Sequence, residues 1–247
     1  MTRTLSLEDF KDLKTADHEW IIPGYFPKPG MLMILGEPRA GKSYLALQLA
    51  LAIAQGQPLL PNTTTKQQRV LYFYFDKTGV FAFQDRLKTL SEAGVDLSGP
   101  LFVIHPDDKI PTANLLDPAH YAYFQQVIND VKPDVVVFDV LREFHNADEN
   151  ESTEMKIVGD HLSLMCQGLG VIMVHHTRKI DHSAQAAMPR NVDVARGSNY
   201  IAGKADATWL IHHDLMNKTH HLYTEANFAG DKKYLLKRYP DGRWMLI

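Results

Sequence analysis

The sequence predicts an α/β protein with a mainly parallel twisted sheet, helices on both of its faces and an antiparallel extension at the C-terminal end. Three observations carry this. Short apolar runs, Met31 to Leu35, Arg69 to Phe75, Leu101 to Ile104, Asp134 to Phe138 and Gly170 to His175, alternate with helical patterns, the rhythm of βαβ units. Two of these runs, Val135 to Phe138 and Val171 to Val174, are apolar on consecutive residues, as expected of central strands covered on both faces. After Ala207 the rhythm changes to strand-like pieces alone.

Taken in order, residues 1–19 are polar and charged and are expected as an N-terminal arm, either a short helix from Leu7 to Leu13 or a flexible segment. Residues 20–247 form the single expected domain. Lys42 to Gln55 places Leu45, Leu49, Ala52 and Ile53 at helical spacing, and Tyr121 to Val131 and Thr153 to Gln167 share the period. The stretch from about Lys179 to Arg196 has no period and reads as a long functional loop. Ala207 to His212, His220 to Glu225, Lys232 to Arg238 and Arg243 to Ile247 read as antiparallel strands, with Pro240-Asp241-Gly242 as the last turn.

Composition narrows the function classes. Hydrophobic residues at 45% and charged residues at 22% exclude disordered and fibrous chains. A net charge of −3 argues against electrostatic coating of nucleic acid, so any DNA contact must be local. The single cysteine, Cys166, sits among apolar neighbours and reads as core, consistent with a reducing cytoplasm. No apolar run reaches the roughly 20 residues of a membrane span, and the N-terminus has no secretory pattern.

The sharpest motif is Gly36-Glu37-Pro38-Arg39-Ala40-Gly41-Lys42-Ser43, the G-x-x-x-x-G-K-[ST] phosphate loop, between an apolar strand and an Ala/Leu-rich helix that continues through Tyr44. It implies ATP, with backbone amides around the phosphates, Lys42 on the β and γ phosphates and Ser43 on Mg²⁺. A phosphate loop needs a second metal-directed carboxylate at the tip of a buried strand, and Asp139 ends the run Val135 to Phe138. Asp76, at the end of the strand after the phosphate-loop helix, is the candidate base, with a plain turn residue as the equal alternative. His175 and His176 follow an apolar strand, and alternation sends one of them to the phosphate edge; either also fits as a core histidine. The pairs His175-His176, His212-His213 and His220-His221 read as structural rather than metal-binding, since neighbours on a strand face opposite ways.

These segments, together with Trp20 to Gly24, Asp139 to His145, Ala147 to Asn150, His175-His176-Thr177-Arg178-Lys179 and Arg196-Gly197-Ser198 in this order, resemble the RecA-like P-loop ATPases related to the plasmid replicative helicase RepA, with DnaB-type helicases as more distant cousins. The resemblance spans about Trp20 to the C-terminus. It implies a RecA-like P-loop NTPase fold, Asp139 as the Walker B carboxylate, His176 as the γ-phosphate sensor and Arg196 as a finger acting on a neighbouring subunit's nucleotide. Lys237 and Arg238 are the alternative trans-acting residues, matching the C-terminal strand of DnaB-type motors. The family usually has Glu where Asp76 stands, which implies slower hydrolysis here. The implied function is a ring-forming, hexameric, ATP-hydrolysing helicase of a plasmid, phage or other mobile element. Its single-stranded DNA contacts are expected at Arg178, Lys179 and Arg190, with a plain solvated loop as the alternative. Two alternatives stay open: a DNA-dependent ATPase that loads or assists without unwinding, and a nucleotide-binding scaffold with weakened hydrolysis.

Overall fold

A computed structural model describes residues 4, 6–11, 19–61, 65–75, 79–106, 112–178, 191–195, 200–214, 219–239 and 244–246. In chain order these form α1 (Leu7–Lys11), β1 (Glu19–Ile22), β2 (Phe26–Lys28), β3 (Gly30–Gly36), α2 (Lys42–Gln55), β4 (Val70–Tyr74), α3 (Gly79–Glu92), β5 (Leu101–Ile104), α4 (Pro118–Val131) and β6 (Val135–Asp139). After a 3₁₀ turn at Leu141–Phe144 come α5 (Ser152–Met165), β7 (Gly170–His176), α6 (Asn191–Val194), α7 (Tyr200–Lys204), β8 (Ala207–Asp214), β9 (Thr219–Ala226), β10 (Lys232–Arg238) and β11 (Trp244–Leu246).

Nine strands make one sheet in the order β11-β10-β9-β8-β3-β7-β6-β4-β5. From β8 to β5 every neighbouring pair is parallel, and β8 to β11 are antiparallel. This is the mainly parallel α/β sheet with its antiparallel C-terminal extension. Alternation divides the core into two layers. Leu32, Ile34, Tyr72, Tyr74, Val135, Val137, Ile172 and Val174 face α2, α3 and the β1–β2 hairpin. Met33, Leu35, Phe73, Phe138, Val171 and Met173 face α4, α5 and α7, where Phe73, Phe124, Phe138 and Phe144 cluster edge-on and stacked. Cys166 lies in this second layer, and burial pushes its thiol up to about 12.

The β1–β2 hairpin, α3 and the short helices α6 and α7 were not expected. The β1–β2 hairpin turns through Pro23 and Gly24, and Gly24 takes φ 78°. The hairpin lies on the sheet where Gly30 and Gly170 stand side by side on β3 and β7. A Cβ on Gly30 would come within 2.5 Å of the Pro27 carbonyl oxygen, and one on Gly170 would strike Ile21 Cδ1, so only glycine allows this approach. Helix α3 buries Phe83 and Leu90 beneath Tyr72 and Tyr74. Within the segment expected to be aperiodic, Asn191–Val194 is a single helical turn. The arm's helix is the shorter Leu7–Lys11.

Candidate nucleotide site

The parallel arrangement carries β3, β7 and β6 to one sheet edge with their C-terminal ends together, where ligands of such sheets bind. The phosphate loop leaves β3 at Gly36 and enters α2 at Lys42. Its bend uses Arg39 at φ 65° and Gly41 at φ 90°, both left-handed, and Ala40 N–H closes a turn on the Glu37 carbonyl at 3.1 Å. Gly41 serves as the N-cap without a side-chain bond, leaving the first-turn amides of α2 to an anion. Pro38 and Arg39 are exposed, and Tyr44 is half-buried with the Arg86 guanidinium 5.7 Å from its ring centre.

Lys42 is buried at 4% exposure. Its Nζ donates to the carbonyls of Gly36 at 3.0 Å and Glu37 at 2.9 Å, and lies 3.2 Å from His176 Nδ1. Since an ammonium has only donors, Nδ1 accepts and the imidazole carries its proton on Nε2. Burial pulls the Lys42 ammonium down from 10.5 to about 8, against the opposing pull of Asp139 and Glu37. Strand parity explains the histidines: His176 shares the face of Ile172 and Val174 and meets Lys42, while buried His175 sits on the opposite face.

Asp139 is fully buried at the end of β6. Ser43 Oγ donates to its Oδ1 at 2.9 Å, and Tyr72 OH donates to its Oδ2 at 2.7 Å. Burial and then the Asp139 charge hold the Tyr72 phenol well above its usual range, so it remains a donor. Phe75 N–H donates to the Asp139 carbonyl at 3.1 Å, tying the end of β4 to the same corner. A serine hydroxyl and a carboxylate in direct contact are the hard-oxygen pair that suits Mg²⁺, so Ser43 and Asp139 are the residues that would hold it.

The structure therefore brings together Lys42, Ser43, Asp139 and His176. Asp76, Lys179, Arg190 and Arg196 lie outside the described residues. Arg178 is exposed, with its N–H on the Val194 carbonyl at 2.8 Å. Lys237 is exposed, with Nζ 4.9 Å from the Tyr239 ring centre, and Arg238 pairs in register with Trp244. Sequence reasoning missed Tyr72, Arg86 and Trp244. Tyr72 could have been found: it occupies a strand position of the parity that faces α2, where a phenol needs an acceptor.

A strand-loop-helix turn of phosphate-loop sequence with a buried carboxylate one strand beyond its neighbour, on this sheet, is the arrangement of a RecA-like P-loop fold. The model of the AAA domain family matches residues 1–182, and the chain belongs to that family. Its fold is similar to that of a KaiC-like protein from the hyperthermophilic archaeon Pyrococcus horikoshii OT3, at a TM-score of 0.56 and 11% identity, covering 92% of this chain and 93% of that one. No curated protein matches the sequence.

Proposed function

We propose that this protein is an ATP-hydrolysing motor that assembles into a ring, with a hexamer as the expected form, and moves on single-stranded DNA as a helicase of a mobile element. The observation that supports hydrolysis best is the contact set at one sheet edge: Lys42 against His176, and Ser43 against Asp139. In this reading the loop amides and Lys42 bind the triphosphate, and Ser43 and Asp139 hold Mg²⁺, which when bound neutralises phosphate charge. His176 sits against Lys42, so a change at the γ phosphate reaches β7, whose end leads directly into Arg178. Asp76 is the proposed base. Arg196, with Lys237 and Arg238 as the alternative, is the proposed residue reaching a neighbouring subunit's nucleotide, a device worth about 10³ to 10⁵ in rate. Arg178, Lys179 and Arg190 are the proposed DNA contacts, and binding through so few cations weakens steeply with salt. No helix among the described residues is long and apolar enough to cross a membrane.

The test combines DNA-stimulated ATP hydrolysis, strand displacement on a forked duplex and native mass with and without ATP and DNA. A ring that unwinds, and a Lys42→Ala variant that stays folded without hydrolysing, are the expected results. Hydrolysis stimulated by DNA without displacement would replace the helicase by a loader or recombination accessory. Tight ATP binding without turnover, unchanged in Asp76→Glu, would replace both by a scaffold.

A further inference from the structure

We propose that Trp244 is a positioning residue for phosphate binding, holding the phosphate loop in its anion-binding shape from the far end of the chain. The inference rests on the nucleotide reading of the site and adds to it a residue that no phosphate-loop motif contains.

Trp244 begins β11, the sheet's edge strand, and is 4% exposed. Its Nε1–H donates to the Gly41 carbonyl at 3.0 Å. That carbonyl also accepts the first helical bond of α2, from Leu45 N–H at 3.1 Å. The Gly41 carbonyl and the Lys42 N–H belong to one planar peptide unit, so two donors on the oxygen fix where the N–H points. That N–H is one of the first-turn amides that an anion at the start of α2 meets. The indole also lies against Gly41 itself. A Cβ there would fall 2.7 Å from the Trp244 ring, so the glycine is required by the tryptophan as well as by its φ of 90°.

The tryptophan is in turn held by the same helix. Its N–H donates to Gln48 Oε1 at 2.8 Å and its carbonyl accepts from Gln48 Nε2 at 3.3 Å. On the other side the His220 ring packs edge-on at 5.1 Å, and His220 stacks on His213 at 4.2 Å and 6° between planes. Indole, glutamine and glycine thus close a clasp between β11 and α2. β11 is laddered to β10, the strand of Lys237 and Arg238, so the same clasp links the loop to the proposed trans-acting strand.

Trp244→Phe keeps an aromatic ring and removes the donor. Gln48→Met keeps the helix and removes both main-chain anchors. Binding of ATP, GTP and inorganic tripolyphosphate by the full chain is measured by calorimetry for wild type, both variants and Lys42→Ala. One hydrogen bond of ordinary net strength predicts about 3- to 10-fold weaker binding in each of the first two, by the same factor for all three ligands. Wild-type affinity in Trp244→Phe overturns the proposal, and so does a loss confined to ATP, which would make the indole a base-reading group. Should Trp244→Phe fail to fold, Gln48→Met decides by the same criteria. Lys42→Ala separates the two levels: if it also binds as wild type, the nucleotide reading itself fails. If it alone loses binding, only the clasp does.

Discussion

Tyr72 occupies a fully buried strand position where phenylalanine would pack as well, and its hydroxyl is accounted for by one contact, the 2.7 Å bond to Asp139 Oδ2. The bond leaves Oδ1 to Ser43, which orients the carboxylate edge toward the phosphate loop. Partners behind a ligating carboxylate are worth about 10- to 100-fold in metal affinity. Tyr72→Phe is therefore expected to raise the Mg²⁺ concentration needed for half-maximal nucleotide binding by about tenfold, read by Mg²⁺ titration at fixed ATP. An unchanged midpoint would make the hydroxyl a packing feature. Lys42 gives a pH prediction. Its folded-state value of about 8 lies below the ordinary 10.5, so as pH falls from 10.5 toward 8 the unfolded chain takes up the proton first and the fold loses stability. The loss is complete below pH 8. Phosphate beside the ammonium favours its charged form, so ATP binding at pH 8.5 should take up part of a proton, fading toward pH 7. Calorimetry in buffers of different ionisation enthalpy measures this, and Lys42→Met should abolish it.

Elements were legible in the sequence where the residues that fix them are neighbours along the chain. Helix α2 was bounded correctly from Lys42 to Gln55 because its start is a motif and its end is Gly56 in the left-handed conformation at φ 69°. β10 was placed at Lys232–Arg238 because its turn residues flank it in sequence. Helix α3 was missed although Phe83, Leu87 and Leu90 have helical spacing, since β-branched Val80 and aromatic Phe81 at its start favour strands by propensity and only two of its side chains are buried. The β1–β2 hairpin was missed because what fixes it is non-local: its place against Gly30 and Gly170, which are far from it in sequence or serve no turn. That contact makes Gly170 a stability residue outside the nucleotide site. Its added Cβ would meet Ile21 Cδ1 and Phe26 Cζ, the latter at 3.1 Å. Gly170→Ala is expected to cost about 1 to 3 kcal/mol, the range for overpacking a core. Denaturant unfolding measures it, and a variant as stable as wild type would mean that the hairpin gives way freely.

At the scale of the whole molecule, the sheet brings Lys42, Ser43, Asp139 and His176, the groups proposed to bind one nucleotide, together within a single chain, while the residues proposed to complete catalysis are proposed to act on a neighbour's nucleotide. The cis set was legible because a phosphate loop and an apolar strand ending in Asp139 are each local patterns whose union only the parallel order β3-β7-β6 could supply. The trans set rests on resemblance, and no single chain can display it. This division can be tested by mixing subunits. Arg196→Ala chains keep Lys42, Ser43 and Asp139 but offer no finger. Asp139→Asn chains keep Arg196 but lose the carboxylate that Ser43 meets. Each alone should hydrolyse ATP poorly, by about 10³-fold or more for the finger variant. When they are mixed, an Arg196→Ala site that borders an Asp139→Asn subunit regains both halves, so turnover should rise above the weighted sum of the two parents and peak near equal proportions. The same mixing with Lys237→Ala or Arg238→Ala chains distinguishes the two proposed fingers, because only the variant lacking the true one is rescued. Turnover that follows the weighted sum for every pair would place all catalytic groups in one chain and remove the ring from the mechanism.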